Sequence, residues 1–143
     1  MILYLDTSAL VKLFVEEAYS ERIRRAVSAA PLITTHAIAY VEACATFARV
    51  AYDRGEDALF SALRRNLDIQ WKAWEIVSVT ASLIHQAADL AGRYRLRGYD
   101  SLHLAAAKST FDVFRGHTPF HLAVFDSQLS AAARQDGIPL LEA

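Results

Sequence analysis

With one cysteine, Cys44, the 143-residue chain can close no internal disulfide. Cys44 lies in Val41-Glu42-Ala43-Cys44-Ala45, with no basic residue close in sequence, and reads as a small buried helix residue with an unreactive thiol. No stretch approaches the roughly 20 apolar residues that span a bilayer. The opening Met1-Ile2-Leu3-Tyr4-Leu5-Asp6 has no basic region before its apolar run, and Asp6 cuts that run short, so it does not read as a signal peptide. A soluble, cytoplasmic protein with no membrane partner is expected. The basic excess common among nucleic-acid binders is also missing, with a net charge of −1 and a pI near 6.5. A cluster of carboxylates would hide local positive charge in that total. Repeats, low-complexity segments and a glycine-rich phosphate loop are all absent. The five histidines form no zinc motif: His117 and His121 are four apart, but Pro119 between them opposes the helix that would join them. Ser127 has no His–Asp arrangement near it in sequence, which argues against a serine hydrolase.

Hydrophobic residues make up 54% of the chain and charged residues 22%, enough for a packed core in one domain over residues 1–143. Residues 2–5 form a short apolar run, read as a buried strand that feeds a helix at Asp6-Thr7-Ser8. Helices are expected over 7–15 and 18–29, a strand over 32–35, and helices over 36–52 and about 56–66. A third strand is expected over 75–79. Thr80 caps a helix reaching about Tyr94, and the next helix runs over 99–111. A fourth strand covers 122–125, a last helix 127–135, and a fifth strand 138–141. Residues 112–121, with Gly116 and Pro119, read as a loop. Short buried strands alternating with helices imply an α/β fold, a parallel sheet with helices on both faces.

Asp6, Asp100 and Asp126 each fall at an expected helix start, and Asp6 and Asp126 also directly follow an apolar strand. Ligands of open parallel sheets bind beyond the carboxyl ends of the strands. Each aspartate taken singly is also a good helix N-cap. Glu42 resists that reading because it sits mid-helix, with Ile38, Ala39, Ala45 and Thr46 at spacings of three and four. A carboxylate on such a stripe needs a partner, and either Arg49 or a metal ion would serve. Acids converging on one crevice repel one another and so favour a cation. Mg²⁺ or Mn²⁺ takes oxygen ligands and keeps several waters, which suits a sparse carboxylate ring. Such a site can activate a water and shield phosphate charge during in-line displacement.

Four segments resemble the motifs of PIN-domain nucleases. They are Tyr4-Leu5-Asp6-Thr7-Ser8-Ala9-Leu10, Val41-Glu42-Ala43, Tyr99-Asp100-Ser101-Leu102-His103-Leu104-Ala105 and Phe125-Asp126-Ser127-Gln128-Leu129-Ser130-Ala131-Ala132. They occur in order across essentially the whole chain, at a length typical of the VapC-like toxins of type II toxin–antitoxin pairs. The resemblance implies a three-layer α/β/α sandwich and Mg²⁺- or Mn²⁺-dependent cleavage of RNA. It further implies inhibition by a cognate antitoxin and a tendency to form a homodimer. Carried over by position, Asp6, Glu42 and Asp100 are the principal metal-site acids and Asp126 an auxiliary one. Thr7 or Ser8 would orient Asp6 or a metal-bound water. Two departures stand out. Val124 occupies a position that is commonly Thr or Ser, and the segment from Asp100 to Asp126 is long for the family.

Arg93, Arg95 and Arg97 lead into Asp100 and either grip RNA phosphates, with Tyr94 or Tyr99 stacking on bases, or form a solvated helix end. Arg22, Arg24 and Arg25 read as a solvated face or an antitoxin contact. His103, one turn after Asp100, reads as a packed histidine. Trp71 and Trp74 read as core or dimer contacts. Two further functions compete with the nuclease. One is an Asp-based phosphotransferase, disfavoured because Ser8 stands where a haloacid-dehalogenase-type site wants a second Asp and because the acidic pair and Lys of a receiver domain are missing. The other is a non-catalytic metal- or RNA-binding module of the same fold.

Overall fold

The computed structural model describes residues 1–142. Its elements are β1 (Ile2–Leu5), α1 (Thr7–Val11), α2 (Ser20–Ala29), β2 (Leu32–His36), α3 (Ile38–Arg54), α4 (Asp57–Trp71), β3 (Glu75–Val77), α5 (Ala81–Tyr94), α6 (Gly98–Phe114), β4 (Phe120–Ala123) and α7 (Ser127–Gln135). The strands form one parallel sheet in the order β3-β2-β1-β4, with β1 between β2 and β4. Side chains alternate along a strand, so β1 feeds two cores at once. Ile2 and Tyr4 pack with Leu104, Leu122 and Leu129 under α5, α6 and α7. Leu3 and Leu5 pack with Ala9, Leu10, Ala43, Phe47 and Leu67 under α1 to α4. A strand buried on both faces reads as a continuous apolar run, which is why Ile2 to Leu5 does not alternate. The α/β/α sandwich expected from the sequence is the one observed.

Several element ends differ from expectation, each for a physical reason. The fifth strand at 138–141 is absent. Only an isolated bridge joins Leu122 to Leu140, flanked by Leu122 N–H to Pro139 O and Leu141 N–H to Leu122 O, both 2.9 Å. Pro139 has no N–H to donate to a ladder. The expected loop over 112–121 shrinks from both sides, because α6 continues to Phe114 and β4 begins at Phe120. Phe114 on the added turn packs against the core, and Phe111 just before it meets Phe120 at 5.6 Å between ring centroids. Helix α1 ends at Val11, and residues 12–14 follow as turns bonded to Ala9, Leu10 and Val11. Helix α4 runs past Asn66 to Trp71 because buried Leu63 and Leu67 keep its apolar stripe against the core. His36 belongs to β2 and caps α3 from outside, its Nδ1 accepting the Ile38 N–H at 3.0 Å. Thr80 caps α5 as expected, accepting the Leu83 N–H at 3.1 Å. Trp74 is buried, and Trp71 packs on it and on Tyr40, so both are core residues. Cys44 is half-buried, and burial pushes its thiol above the usual range. Among the described residues no helix is long and apolar enough to cross a membrane.

Candidate active site

The four acids meet beyond the carboxyl end of β1. Asp6, Glu42, Asp100 and Asp126 line one cavity of about 320 Å³, together with Thr7, Ser8, Lys12, Glu17, Arg97 and His103. Asp6 is the residue after β1, and its side chain is the N-cap of α1. Its Oδ1 accepts from Ser8 Oγ at 2.7 Å and from the Ala9 N–H at 2.9 Å. The capping role and the site role therefore coincide in one carboxylate. Asp6 is 3% exposed. Burial raises its pKa from 3.8 to about 6, against the lowering pull of His103, Ser8 and the Ala9 amide, and the charge of Asp100 adds to the rise.

Glu42 reaches the cavity from the middle of α3 and finds its partners across the sheet. Thr7 Oγ1 donates to Glu42 Oε1 at 2.7 Å, and His103 Nε2 lies 2.9 Å from the same oxygen. Burial pushes Glu42 up, but the hydrogen bond and charge of His103, with the Thr7 hydroxyl, outweigh it and hold the carboxyl below its usual value. Neither structural partner is Arg49, which instead bonds Thr46 Oγ1 at 3.3 Å. His103 is 2% exposed and is fixed from its other side, with Tyr4 Oη 2.9 Å from Nδ1. Burial first, then the Asp6 charge, raises the Tyr4 phenol well above its usual range, so it stays protonated. A second buried histidine, His36, stands edge-on to His103 at 6.4 Å. Its Nε2 has no partner, and burial, then His103, lowers its pKa.

Asp100 is the third residue of α6, not its cap. Asp126 caps α7, accepting the Leu129 N–H at 3.2 Å. Because β4 ends at Ala123, Asp126 lies in the turn beyond the strand and does not directly follow it. The turn is tied to the first acid, since Ser8 Oγ also accepts the Phe125 N–H at 3.0 Å. Arg97 spans the last two acids, its Nε 3.0 Å from Asp100 and its Nη2 3.8 Å from Asp126. Arg93 points away, 3.5 Å from Asp136, and Arg95 ends α5 in the left-handed conformation at φ 57°. Neither lines the cavity. Tyr94 is committed to Asp136 at 2.6 Å, whereas Tyr99 is exposed.

Thr7 and Ser8 thus divide their work, Ser8 holding Asp6 and Thr7 holding Glu42. Sequence reasoning missed His103 as a site residue, and also Lys12 and Glu17, which pair at 3.0 Å on the rim. The one available signal for His103 was its place one turn after Asp100 on the same helix face. All four acids offer oxygen donors and no sulfur, the chemistry that suits a hard divalent cation keeping some of its waters. Among the described residues no three His, Cys, Asp or Glu side chains stand at direct ligating distance of one point. The donor chemistry, oxygen without sulfur, is the kind that Mg²⁺ or Mn²⁺ takes.

The strand-end acids of this α/β/α sandwich surround one cavity at the sheet's carboxyl edge. Residues 3–111 match the family model of the PIN domain, and the chain belongs to that family. The match takes in Asp6, Glu42 and Asp100 and stops short of Asp126. The chain is similar to Ribonuclease VapC45 and Ribonuclease VapC49 of Mycobacterium tuberculosis. With each it shares 31% identity over 138 residues, which cover 95% of this chain and 92% of the relative. Two solved structures share the fold. One is VapC20 of Mycobacterium tuberculosis, a sarcin–ricin loop cleaving toxin, at TM-score 0.64 and 19% identity over 91% of this chain and 94% of that one. The other is a chain of VapBC2 from Rickettsia felis bound to a promoter DNA fragment, at TM-score 0.64 and 15% identity over 99% and 98%.

Proposed function

We propose that this chain is an endoribonuclease that depends on Mg²⁺ or Mn²⁺ and acts as the toxin of a toxin–antitoxin pair. Its substrate is RNA, its inhibitor a cognate antitoxin, and its working form a homodimer in the cytoplasm. The observation that carries the reading is the convergence of four acids, distant in sequence, on one cavity where the most buried of them already resists ionisation. That arrangement is unfavourable without a cation. The names of the two 31%-identical relatives point to the same activity.

Asp6, Glu42 and Asp100 would hold the cation, with Asp126 assisting. A divalent ion bound there supplies Lewis-acid stabilisation of the phosphate and lowers the pKa of the attacking water. The chain's own groups set the geometry. Ser8 and the Ala9 amide fix the Asp6 carboxylate, so that its free oxygen faces the cavity. Thr7 and His103 both bond Oε1 of Glu42, leaving Oε2 for the site. His103 is therefore a positioning residue: it touches Glu42 and the buried Tyr4. Arg97, mostly exposed at the cavity mouth, is placed to meet a phosphate and, without RNA, bridges Asp100 and Asp126.

Incubation of total bacterial RNA with the purified chain and Mn²⁺ tests the proposal, beside a chelator control and the Asp6→Asn, Glu42→Gln and Asp100→Asn variants. Cleavage that needs the metal and all three acids is expected. Cleavage that survives chelation, or is unchanged in Asp6→Asn or Asp100→Asn, would refute the site.

A further inference from the structure

Beside the carboxylate cavity lies a second one of about 320 Å³, whose lining includes Tyr19, Arg22, Phe125, Ser130, Arg134 and Glu142. Phe125 lines this cavity and its chain neighbour Asp126 lines the carboxylate one, and the Phe125 amide bonds Ser8. Tyr19 and Phe125 stack with ring centroids 5.4 Å apart and planes 23° from parallel. Lys12 Nζ, on the rim of the acid cavity, lies 4.6 Å from the Phe125 ring centroid. The stack leaves Tyr19 58% exposed and Phe125 37% exposed.

Core packing does not account for this stack. Tyr19 is held in the left-handed conformation at φ 70°, which a bulky side chain adopts at a cost, and its ring still faces solvent. Among the described residues Arg22 and Arg134 have no carboxylate within ion-pairing distance, unlike Arg24 and Arg25, which are paired with Glu16 and Glu21. An exposed flat ring with free guanidinium groups along the same cavity matches the chemistry of a single-stranded nucleotide, a base to stack and a phosphate to hold.

We propose that this cavity binds the RNA nucleotide adjacent to the scissile phosphate, its base continuing the Tyr19–Phe125 stack and its phosphate held by Arg22 and Arg134. The inference rests on the ribonuclease reading and adds to it a site that sets where on a strand cleavage falls. Unpaired, unstacked nucleotides are therefore preferred over duplex at this position, because a stacked base pair cannot offer its face to Tyr19.

The test uses a single-stranded RNA octamer carrying 2-aminopurine, titrated in Mg²⁺ with the Asp6→Asn chain so that binding is read without cleavage. Quenching of the 2-aminopurine on binding is expected. Tyr19→Asn, which tolerates the left-handed backbone, should weaken affinity about tenfold and abolish the quench. Tyr19→Trp should keep both within about twofold. Arg22→Gln with Arg134→Gln should lower the slope of log affinity against log salt by about two. Equal affinity and equal quenching in the parent and Tyr19→Asn would overturn the proposal. So would an unchanged RNA affinity in Tyr19→Asn together with lost inhibition by the antitoxin, which would make this face a protein-docking surface. Cleavage by the wild-type chain, measured alongside, separates the two readings. Cleavage without any effect of Tyr19→Asn on binding sinks the nucleotide site alone, whereas a chain that neither binds nor cleaves RNA sinks both.

Discussion

Replacing Asp6 by asparagine should stabilise the metal-free protein, and the size of the gain follows from burial. The folded Asp6 titrates near 6, whereas the unfolded residue titrates near 3.8. Between those values the folded chain binds more protons than the unfolded one, so stability falls as pH rises through this window. Above pH 6 the deficit is constant. A shift of about two units at roughly 1.4 kcal/mol each amounts to about 3 kcal/mol. Asparagine keeps the oxygen that accepts from Ser8 and the Ala9 amide, so the helix cap is retained. Urea unfolding of both chains in EDTA checks this. At pH 8 Asp6→Asn is expected to be more stable by up to about 3 kcal/mol, and the two curves should converge near pH 4. With excess Mg²⁺ the wild type alone should gain, because only the folded wild type carries the intact cation site. An Asp6→Asn chain that is less stable at pH 8, or a difference that does not change with pH, would refute the view that Asp6 is a strained buried carboxylate.

His103→Ala should cost about 3 kcal/mol, since it opens a cavity and removes a hydrogen-bond partner from both Tyr4 and Glu42. Unfolding midpoints measure it, and a loss under 1 kcal/mol would contradict a shared network. Arg97→Gln should weaken RNA binding across sequences and reduce its salt slope by about one, as measured by anisotropy at several salt concentrations. Asp136 anchors α7 to Lys108 at 2.7 Å and to Tyr94. Burial raises its pKa, but the hydrogen bonds of Lys108 and Tyr94 and the charges of Lys108 and Arg93 outweigh it and hold it below 3.8. Its contribution is therefore present above that pH and lost as pH falls below it, so Asp136→Asn should lower stability at pH 7 and make no difference at strongly acid pH.

How far the sequence could be read depended on the range of the interaction. Asp6 was legible because a four-residue apolar run ending in Asp-Thr-Ser is a local pattern that fixes both the strand and the turn. Glu42 was legible by contradiction, as a charge on an apolar helical stripe. Its true partner was not, because His103 and Thr7 come from other elements and only the folded sheet brings them together. The same limit hid the fate of the three arginines. Arg93, Arg95 and Arg97 look alike in sequence, yet the left-handed turn at Arg95 sends the first toward Asp136 and leaves the third beside Asp100 and Asp126. The false fifth strand at 138–141 has a strand's apolar composition, but Pro139 denies it the donor that a ladder needs. Tyr19 and Phe125 carry no local signal at all, since their stack joins the two ends of the chain.

Titration of Mn²⁺ into the purified chain, with free ion followed by electron paramagnetic resonance, tests most directly whether the four carboxylates form a cation site. Saturable uptake of one or two ions per chain is expected, lost in Asp6→Asn and Asp100→Asn and weakened in Asp126→Asn. No saturable uptake, or uptake equal in wild type and Asp6→Asn, would contradict it.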